Sequence, residues 1–398
     1  MRVGIDLRSM EGGAQHRGIG RYATSLIETI SRLDHNNEYV FLLSGKSAKQ
    51  PVFNLDKGFK HSFVIGPGGG LRSVKYIRIV YLLPKPMPVD KYNLDVVLQL
   101  DLTQRIKSRH TAIVSVIYDL IPFIYKEQYQ HVHFGGYSPG RLIGYSRMRL
   151  RWKALEKQIQ LYKKHHKVIS ISECSKQDLV KWVPDLKAEN VKVIMLAAGE
   201  LPNAPKAIPT DLKKLGLDQF LLYVGGADPR KGLMELVESM EEVWQYNPRL
   251  QLVLAGKDIL SPDAWDAINL REKISQSSLR HNILTPGFIS DEDLAWLYAK
   301  AMAFVFPSRY EGFGLPVLEA MQAGCPVVAY NNSSIPEVAG DAALLVPDGQ
   351  TMVPAIKKIL QDKELRQDLV TKGKKRAAQF TWEKTAKETL AVLEEVAR

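Results

Sequence analysis

The 398-residue sequence predicts an α/β protein of two Rossmann-like domains, each a parallel sheet covered by helices. Three observations lead there. Short, almost wholly apolar runs such as AFVF at 303–306 recur along the chain, and strands this apolar need cover on both faces. Amphipathic stretches separate them, so strand and helix alternate. The alternation breaks once, in the Gly- and Pro-containing stretch GELPNAPKAIPTDLKKLG at 199–216, and then restarts. The expected domains are 1–200 and 201–380, with a terminal helix within 381–398.

In order along the chain, RVGIDL reads as the first strand, and GIGRYATSLIETISRL as a loop running into a helix. YVFLLSG, SFVIG, LDVVLQL and TAIVSVIYDL read as strands. RMRLRWKALEKQIQLYKKH is a long basic helix before the strand KVISIS. SECSKQDLVKWV follows as a helix with Ser at its N-cap, and VKVIML as another strand. Beyond the linker come FLLYVGG, a helix over MELVESMEEVW, RLQLVLAG, a helix near 262–275, and HNILTPG. DEDLAWLYAKA is helical, AFVFPS a strand, Pro316 the start of a helix, and PVVAY and AALLV two last strands before terminal helices. No internal repeat or low-complexity tract interrupts this rhythm.

The formal net charge is +11 and unevenly placed. Residues 1–200 hold 31 Lys and Arg against 17 Asp and Glu; the remainder holds 23 against 26. A basic half attracts phosphates, on nucleic acid or on an anionic membrane. Cys174 and Cys325 stand far apart with no metal-like spacing, which suits a reducing compartment. MRVGIDLRS has no apolar signal core, and the run TAIVSVIYDLIPFIY is interrupted by Asp119 and too short to span a bilayer. The expected location is cytoplasmic.

Ligands of open parallel sheets sit where strand ends turn into helices. After the first strand, Gly18 and Gly20 stand just before a helix, either to bring backbone amides to a phosphate or as a plain flexible turn. In the second half GGADPRKGL combines Gly225 and Gly226, which permit a tight turn, with Arg230 and Lys231 opening a helix. Two cations at a helix N-terminus oppose its dipole, a placement that makes sense if a diphosphate lies between them. RYEGFGLPVLEAMQAGC at 309–325 places Glu311 in a loop and Glu319 in the first helical turns. A carboxylate accepts hydrogen bonds from vicinal diols, so the pair can grip two sugar rings at the ends of a nucleotide diphosphate sugar. Glu319 also fits simple dipole complementation, whereas Glu311 has no structural reason of its own.

The E-x7-E block EGFGLPVLEAMQAGCPVV, together with GGADPRKGL, resembles the large retaining family of GT-B glycosyltransferases. GIGRY, YDLIPF, SECSKQDL, GFISDEDLAWLY and FTWEKTAKETL match in order, from residue 1 to about 395. The resemblance implies two Rossmann-like domains facing across a cleft, with the terminal helix crossing back to the first. It implies donor-sugar contact by Glu311, ribose contact by Glu319, and diphosphate contact by Arg230 and Lys231. Gly312, Phe313, Gly314 and Leu315 would line sugar and phosphate, and Gly18 and Gly20 match the glycine loop. Many members have His where Tyr118 precedes Asp119; either the tyrosine hydroxyl takes that sugar contact or Asp119 serves alone. The implied reaction moves a hexose, mannose by preference from GDP-mannose, with retention at the anomeric carbon. The acceptor would be a lipid-linked or other glycan of a surface polysaccharide.

No cofactor and no metal are expected: Arg230, Lys231 and helix-start amides can stabilise the leaving diphosphate. The D-x-D at Asp291 and Asp293 follows Ser290 and reads as a helix cap, and His131 and His133 read as loop residues. LRSVKYIRIVYLL at 71–83 sets Arg72, Lys75 and Arg78 among large apolar residues, as an interfacial helix or an ordinary packed one. With the basic stretch 141–164 it suits reversible docking on an anionic membrane at the inner face of the cell. Two other classes share some features. A nucleic-acid binder explains the charge but not the acid pair, and no nucleic-acid partner is expected. A sugar-nucleotide epimerase of the same fold explains the donor site without an acceptor.

Overall fold

Residues 1–10, 18–44, 51–66, 86–102, 104–131, 152–199, 201–256, 259 and 265–397 are described by the structure, a computed structural model. The chain divides into unit 1, Met1–Leu196 with Thr381–Arg398, and unit 2, Ala197–Phe380. The segment 71–83 and the basic residues 141–151 lie outside the described residues.

Unit 1 carries strands β1 (Arg2–Asp6), β2 (Glu38–Ser44), β3 (His61–Gly66), β4 (Met87–Pro88), β5 (Val96–Gln99), β6 (Ile106–Lys107), β7 (Ala112–Ile117), β8 (Lys167–Ser170) and β9 (Val191–Val193). Seven form one parallel sheet in the order β3-β2-β1-β5-β7-β8-β9; β4 and β6 pair separately. Its helices are α1 (Gly18–Leu33), α2 (Ile121–Ile124), α3 (Lys126–His131), α4 (152–159) and α5 (Glu173–Trp182). The central strands are buried because helices cover both faces, which is why they read as unbroken apolar runs. Ser172 caps α5, its hydroxyl accepting from the Ser175 N–H at 3.0 Å.

Unit 2 carries β10 (Phe220–Val224), β11 (Gln251–Ala255), β12 (Ile283–Gly287), β13 (Ala303–Phe306), β14 (Val327–Tyr330) and β15 (Leu344–Val346). They form a parallel sheet in the order β12-β11-β10-β13-β14-β15. Its helices are α6 (Thr210–Lys213), α7 (Leu233–Tyr246), α8 (Trp265–Gln276), α9 (Asp291–Lys300), α10 (Leu315–Gln322), α11 (Ile335–Ala339), α12 (Gly349–Gln361) and α13 (Lys363–Ala377).

The last helix, α14 (Trp382–Ala397), belongs to unit 1 and packs along α1. Thr385 donates from its hydroxyl to Met195 O at 2.7 Å, and Lys167 pairs with Glu395 at 2.8 Å. In each sheet strand order reverses once, between β1 and β5 and between β10 and β13. Loops leaving the carboxyl ends diverge at such a reversal and open a crevice. No helix among the described residues is long and apolar enough to cross a membrane.

Candidate functional site

In unit 2 β10 pairs directly with β13, Leu221 opposite Ala303 and Leu222 opposite Phe304, so the loops leaving them run side by side. Asp228 caps the 3₁₀ turn Pro229–Lys231, accepting the Arg230 N–H at 3.1 Å. Gly232 follows with φ 69°, and a Cβ there would lie 2.2 Å from Pro307 O. Only glycine combines that left-handed conformation with so close an approach of the two loops. The helix α7 starts after it, at Leu233. The expectation that Arg230 and Lys231 open a helix is therefore corrected. They occupy a short turn ahead of it, and their charges are met by an acid and not left against a helix dipole.

That acid is Glu311. Lys231 Nζ lies 2.5 Å and Arg230 Nη1 3.1 Å from Glu311 Oε1, and the Ser308 hydroxyl donates to the same oxygen at 2.5 Å. Arg230 Nη1 also donates to Tyr310 O at 2.6 Å, while the Arg309 N–H donates to Arg230 O at 2.7 Å. The Glu311 backbone is held on both sides: its N–H donates to Ser333 Oγ at 3.0 Å and its carbonyl accepts from Ser334 Oγ at 2.9 Å. Lys231 Nζ also lies 5.2 Å from the centre of the Phe306 ring, a cation–π contact. Glu311 is 8% exposed. Burial raises its pKa, but the Lys231 and Arg230 charges and the bonds from Lys231 and Ser308 outweigh it and hold the carboxyl below its usual range. The reading that Glu311 lacks a structural reason is thus also corrected. Its two cationic partners lie about 80 residues away in sequence, brought near by the pairing of β10 with β13.

Glu319 sits beyond the first turn of α10 and is buried, with Oε2 accepting from Tyr298 Oη at 3.2 Å. Dipole complementation therefore does not account for it, because that effect fades past the first turn. Gly314 caps α10 with φ 102°, and a Cβ there would meet Ile335 Cδ1 at 2.6 Å. Gly312 and Gly314 are buried and Leu315 half-buried. Phe313 sends its ring inward, edge-on to Phe380 at 6.0 Å, leaving backbone at the strand end. Gly225 donates its N–H to Ala255 O at 3.0 Å, and Gly226 O accepts from Tyr223 Oη at 2.8 Å, which pins the glycine turn to the sheet.

In unit 1 Tyr118 and Asp119 leave β7 and border a cavity of about 280 Å³ that Ile19, between Gly18 and Gly20, also lines. Gly18 and Gly20 stand in the first turn of α1, Gly18 exposed and Gly20 buried. Asp119 accepts the Ile121 N–H at 2.9 Å. The Tyr118 hydroxyl is buried and has no hydrogen-bond partner among the described residues; its ring stands edge-on to Tyr22 at 5.5 Å, and Tyr22 in turn lies 5.9 Å from Trp382 of α14. Burial pushes that hydroxyl well above its usual pKa.

Ser290 and Asp293 form a reciprocal capping box on α9, with the Asp293 N–H donating to Ser290 Oγ at 3.1 Å. Among the described residues no three His, Cys, Asp or Glu side chains gather as a metal set would require. His131 closes α3 and so is helical, not a loop residue; His133 lies outside the described residues. Ser308, Ser333, Ser334 and Tyr298 hold the two glutamates, and sequence reasoning did not single them out. Their signal is position alone: Ser308 stands two residues past β13, and the serine pair follows β14.

The pattern matches a known family. Residues 206–376 fit the family model described as Glycosyl transferases group 1. Over this stretch the chain is similar to the group 1 glycosyl transferases. Among relatives, the O-antigen chain mannosyltransferase B of Escherichia coli is 33% identical over 56% of this chain and 59% of its own length. The serotype-specific mannosyltransferase WbdA of Escherichia coli is 30% identical over 69% of this chain and 32% of its own length. The chain thus spans less than two thirds of these relatives. Among solved structures, sucrose-phosphate synthase from Thermosynechococcus elongatus superposes with a TM-score of 0.72 at 21% identity, covering 100% of this chain and 99% of that one. WaaG, a glycosyltransferase involved in lipopolysaccharide biosynthesis, gives 0.60 at 17%, covering 98% and 99%. At these identities the likeness shows the fold, which is GT-B. The matched stretch holds the whole Arg230–Lys231–Glu311 network.

Proposed function

We propose that this chain is a retaining, metal-independent hexosyltransferase, moving mannose from GDP-mannose or a similar nucleotide diphosphate sugar onto a glycan acceptor in surface polysaccharide assembly. One observation carries the reading: Arg230 and Lys231 converge on Glu311 at the strand-order reversal of unit 2, inside the region that matches the family. A diphosphate entering there competes with Glu311 for two fixed cations. The cations then lie where negative charge develops as the sugar–phosphate bond breaks, and they need little rearrangement to stabilise it. Glu311, released from them, becomes an acceptor for hydroxyls of the donor sugar. Glu319, held by Tyr298, accepts the ribose diol. Leu315 and Gly312 to Gly314 line the sugar and phosphate with backbone. The mannosyltransferase relatives, one of them an O-antigen chain enzyme, support mannose as the sugar and O-antigen chains as the acceptor class. The acceptor is read as lipid-linked, on an enzyme resting on the cytoplasmic face of an anionic membrane through its basic N-terminal half.

A thermal-shift panel of GDP-mannose, UDP-glucose and the free sugars, followed by a transfer assay in EDTA, tests this. The expected result is stabilisation by one nucleotide sugar only, with transfer that survives chelation. No stabilisation by any nucleotide sugar, or transfer that stops in EDTA and returns with a divalent ion, contradicts it.

A further inference from the structure

The segment 311–315 is gripped at both ends. At Glu311, Ser333 and Ser334 hold the backbone, and α11 begins directly after them, at Ile335. Ile335 also stands against Gly314, where it leaves no room for a Cβ. A helix of five residues has little stability of its own, so the place of α11 depends on what grips its far end.

Arg376, in the last turn of α13, grips it. Its Nε donates to Val338 O at 3.0 Å and its Nη2 to Glu337 O, two of the terminal carbonyls of α11. Nη1 donates to Gln379 Oε1 at 2.6 Å, and the guanidinium carbon lies 4.9 Å from the centre of the Phe380 ring. That ring meets Phe313 edge-on, and Phe313 stands between Gly312 and Gly314. The contacts close a circuit from Glu311 through the serine pair, α11, Arg376, Phe380 and Phe313 back to Glu311. Its frame is firm, because α13 is packed on α10: a Cβ at Gly373 would lie 3.3 Å from Met321 Cγ.

Plain capping of α11 does not account for this arrangement. A lysine also hydrogen-bonds the last carbonyls of a helix. A planar fork is needed to bond two carbonyls and an amide oxygen while its face rests on an aromatic ring. Glycine on either side of Phe313 leaves the backbone there permissive, so the anchored Phe313 ring is what restrains it.

We propose that Arg376 and Phe380 are positioning residues for sugar transfer. They act through α11 and Phe313, and they fix the backbone of 311–315 where the donor sugar and phosphate are read to lie. The proposal rests on the glycosyltransferase reading above and extends its machinery to the end of α13.

The test uses the full chain with Arg376→Lys, Phe380→Leu and, as the conservative change, Phe380→Tyr, at a temperature where circular dichroism shows each folded. Hydrogen exchange is followed by mass spectrometry, GDP binding by calorimetry, and turnover with GDP-mannose or UDP-glucose and a neutral mannoside. Arg376→Lys and Phe380→Leu should speed exchange in 311–315 while β10 and β11 keep the wild-type rates. Small misplacement of a reacting group is costly, so kcat should fall by about tenfold to a hundredfold, with donor KM and GDP affinity kept. Phe380→Tyr keeps the ring and should behave as wild type. Should Arg376→Lys fail to fold, the two Phe380 variants carry the same comparison. Unchanged exchange in 311–315, kcat and GDP affinity falling together, or Phe380→Tyr no better than Phe380→Leu overturns the proposal. Failure of both nucleotide sugars to bind the wild type overturns the functional reading instead, and the exchange pattern then decides by itself whether the pair holds the segment.

Discussion

Glu311→Gln separates what the carboxylate does for the fold from what it does for the ligand. The substitution keeps shape and an acceptor for Ser308 but removes the charge facing Lys231 and Arg230. Charge-assisted bonds contribute about 1.5–3 kcal/mol each, and a retained neutral acceptor offsets part of the loss, so the net destabilisation is about 3 kcal/mol. For a unit of this size that lowers Tm by roughly 6–12 °C. The pH dependence has a definite sign. The folded pKa of Glu311 is lowered. Its stabilisation is therefore complete above the unfolded glutamate value, about 4.3, and is lost as pH falls through the folded value. Wild type and variant should differ fully at pH 7 and converge only as the pH falls below the lowered folded value of Glu311. The ligand effect runs the other way. With no internal anion to displace, the two cations should bind GDP more tightly in the variant, while transfer from the nucleotide sugar falls. Denaturation monitored at several pH values, with calorimetric titration of GDP, gives both readouts. A Tm unchanged at pH 7, or GDP affinity that falls together with transfer, refutes the reasoning.

Three other outcomes are expected. Lys231→Ala should reduce kcat by about 10²–10³, or roughly 2.7–4 kcal/mol, through lost leaving-group stabilisation; single-turnover kinetics showing a normal chemical step would contradict this. Gly314→Ala forces a side chain into φ 102° and against Ile335, and should lower stability by more than about 1 kcal/mol in chemical denaturation, whereas a neutral result would mean the α10 cap relaxes freely. Flotation should carry the wild type with anionic but not neutral liposomes at low salt, and changing Arg72, Lys75 and Arg78 together to Glu should abolish it, since each cation near an anionic surface contributes about 1 kcal/mol. Wild type that never floats, or a triple variant that floats equally, removes the membrane reading.

The fold was legible because its signal is local. Buried parallel strands such as AFVF and PVVAY must be apolar throughout, and the sequence places them at β13 and β14 where the structure has them. Ser172 and the Ser290–Asp293 box could be read for the same reason, since caps involve residues three apart. Glu311 could not be read fully. Its cations lie on another strand's loop, and only the reversal of strand order makes them neighbours. Arg230 and Lys231 were placed at a helix start because Gly232, which ends their turn in a left-handed conformation, does not announce that role among other glycines. The direction of the Tyr118 ring depends on Tyr22 and Trp382, the second supplied by a helix at the far end of the chain. The cavity depends likewise on Leu155 and Ile159 from α4 meeting the ends of β5 and β7, a meeting that no periodicity encodes.

The central claim is sugar transfer with retention from a nucleotide diphosphate donor bound in unit 2. Its most direct test is the anomeric proton and carbon spectrum of the product formed by the purified chain from GDP-α-mannose and a neutral mannoside acceptor, alongside the Lys231→Ala variant. The account predicts an α-linked product whose rate of formation falls sharply in the variant. A β-linked product, or transfer from the α-linked donor that is untouched by Lys231→Ala, would contradict it.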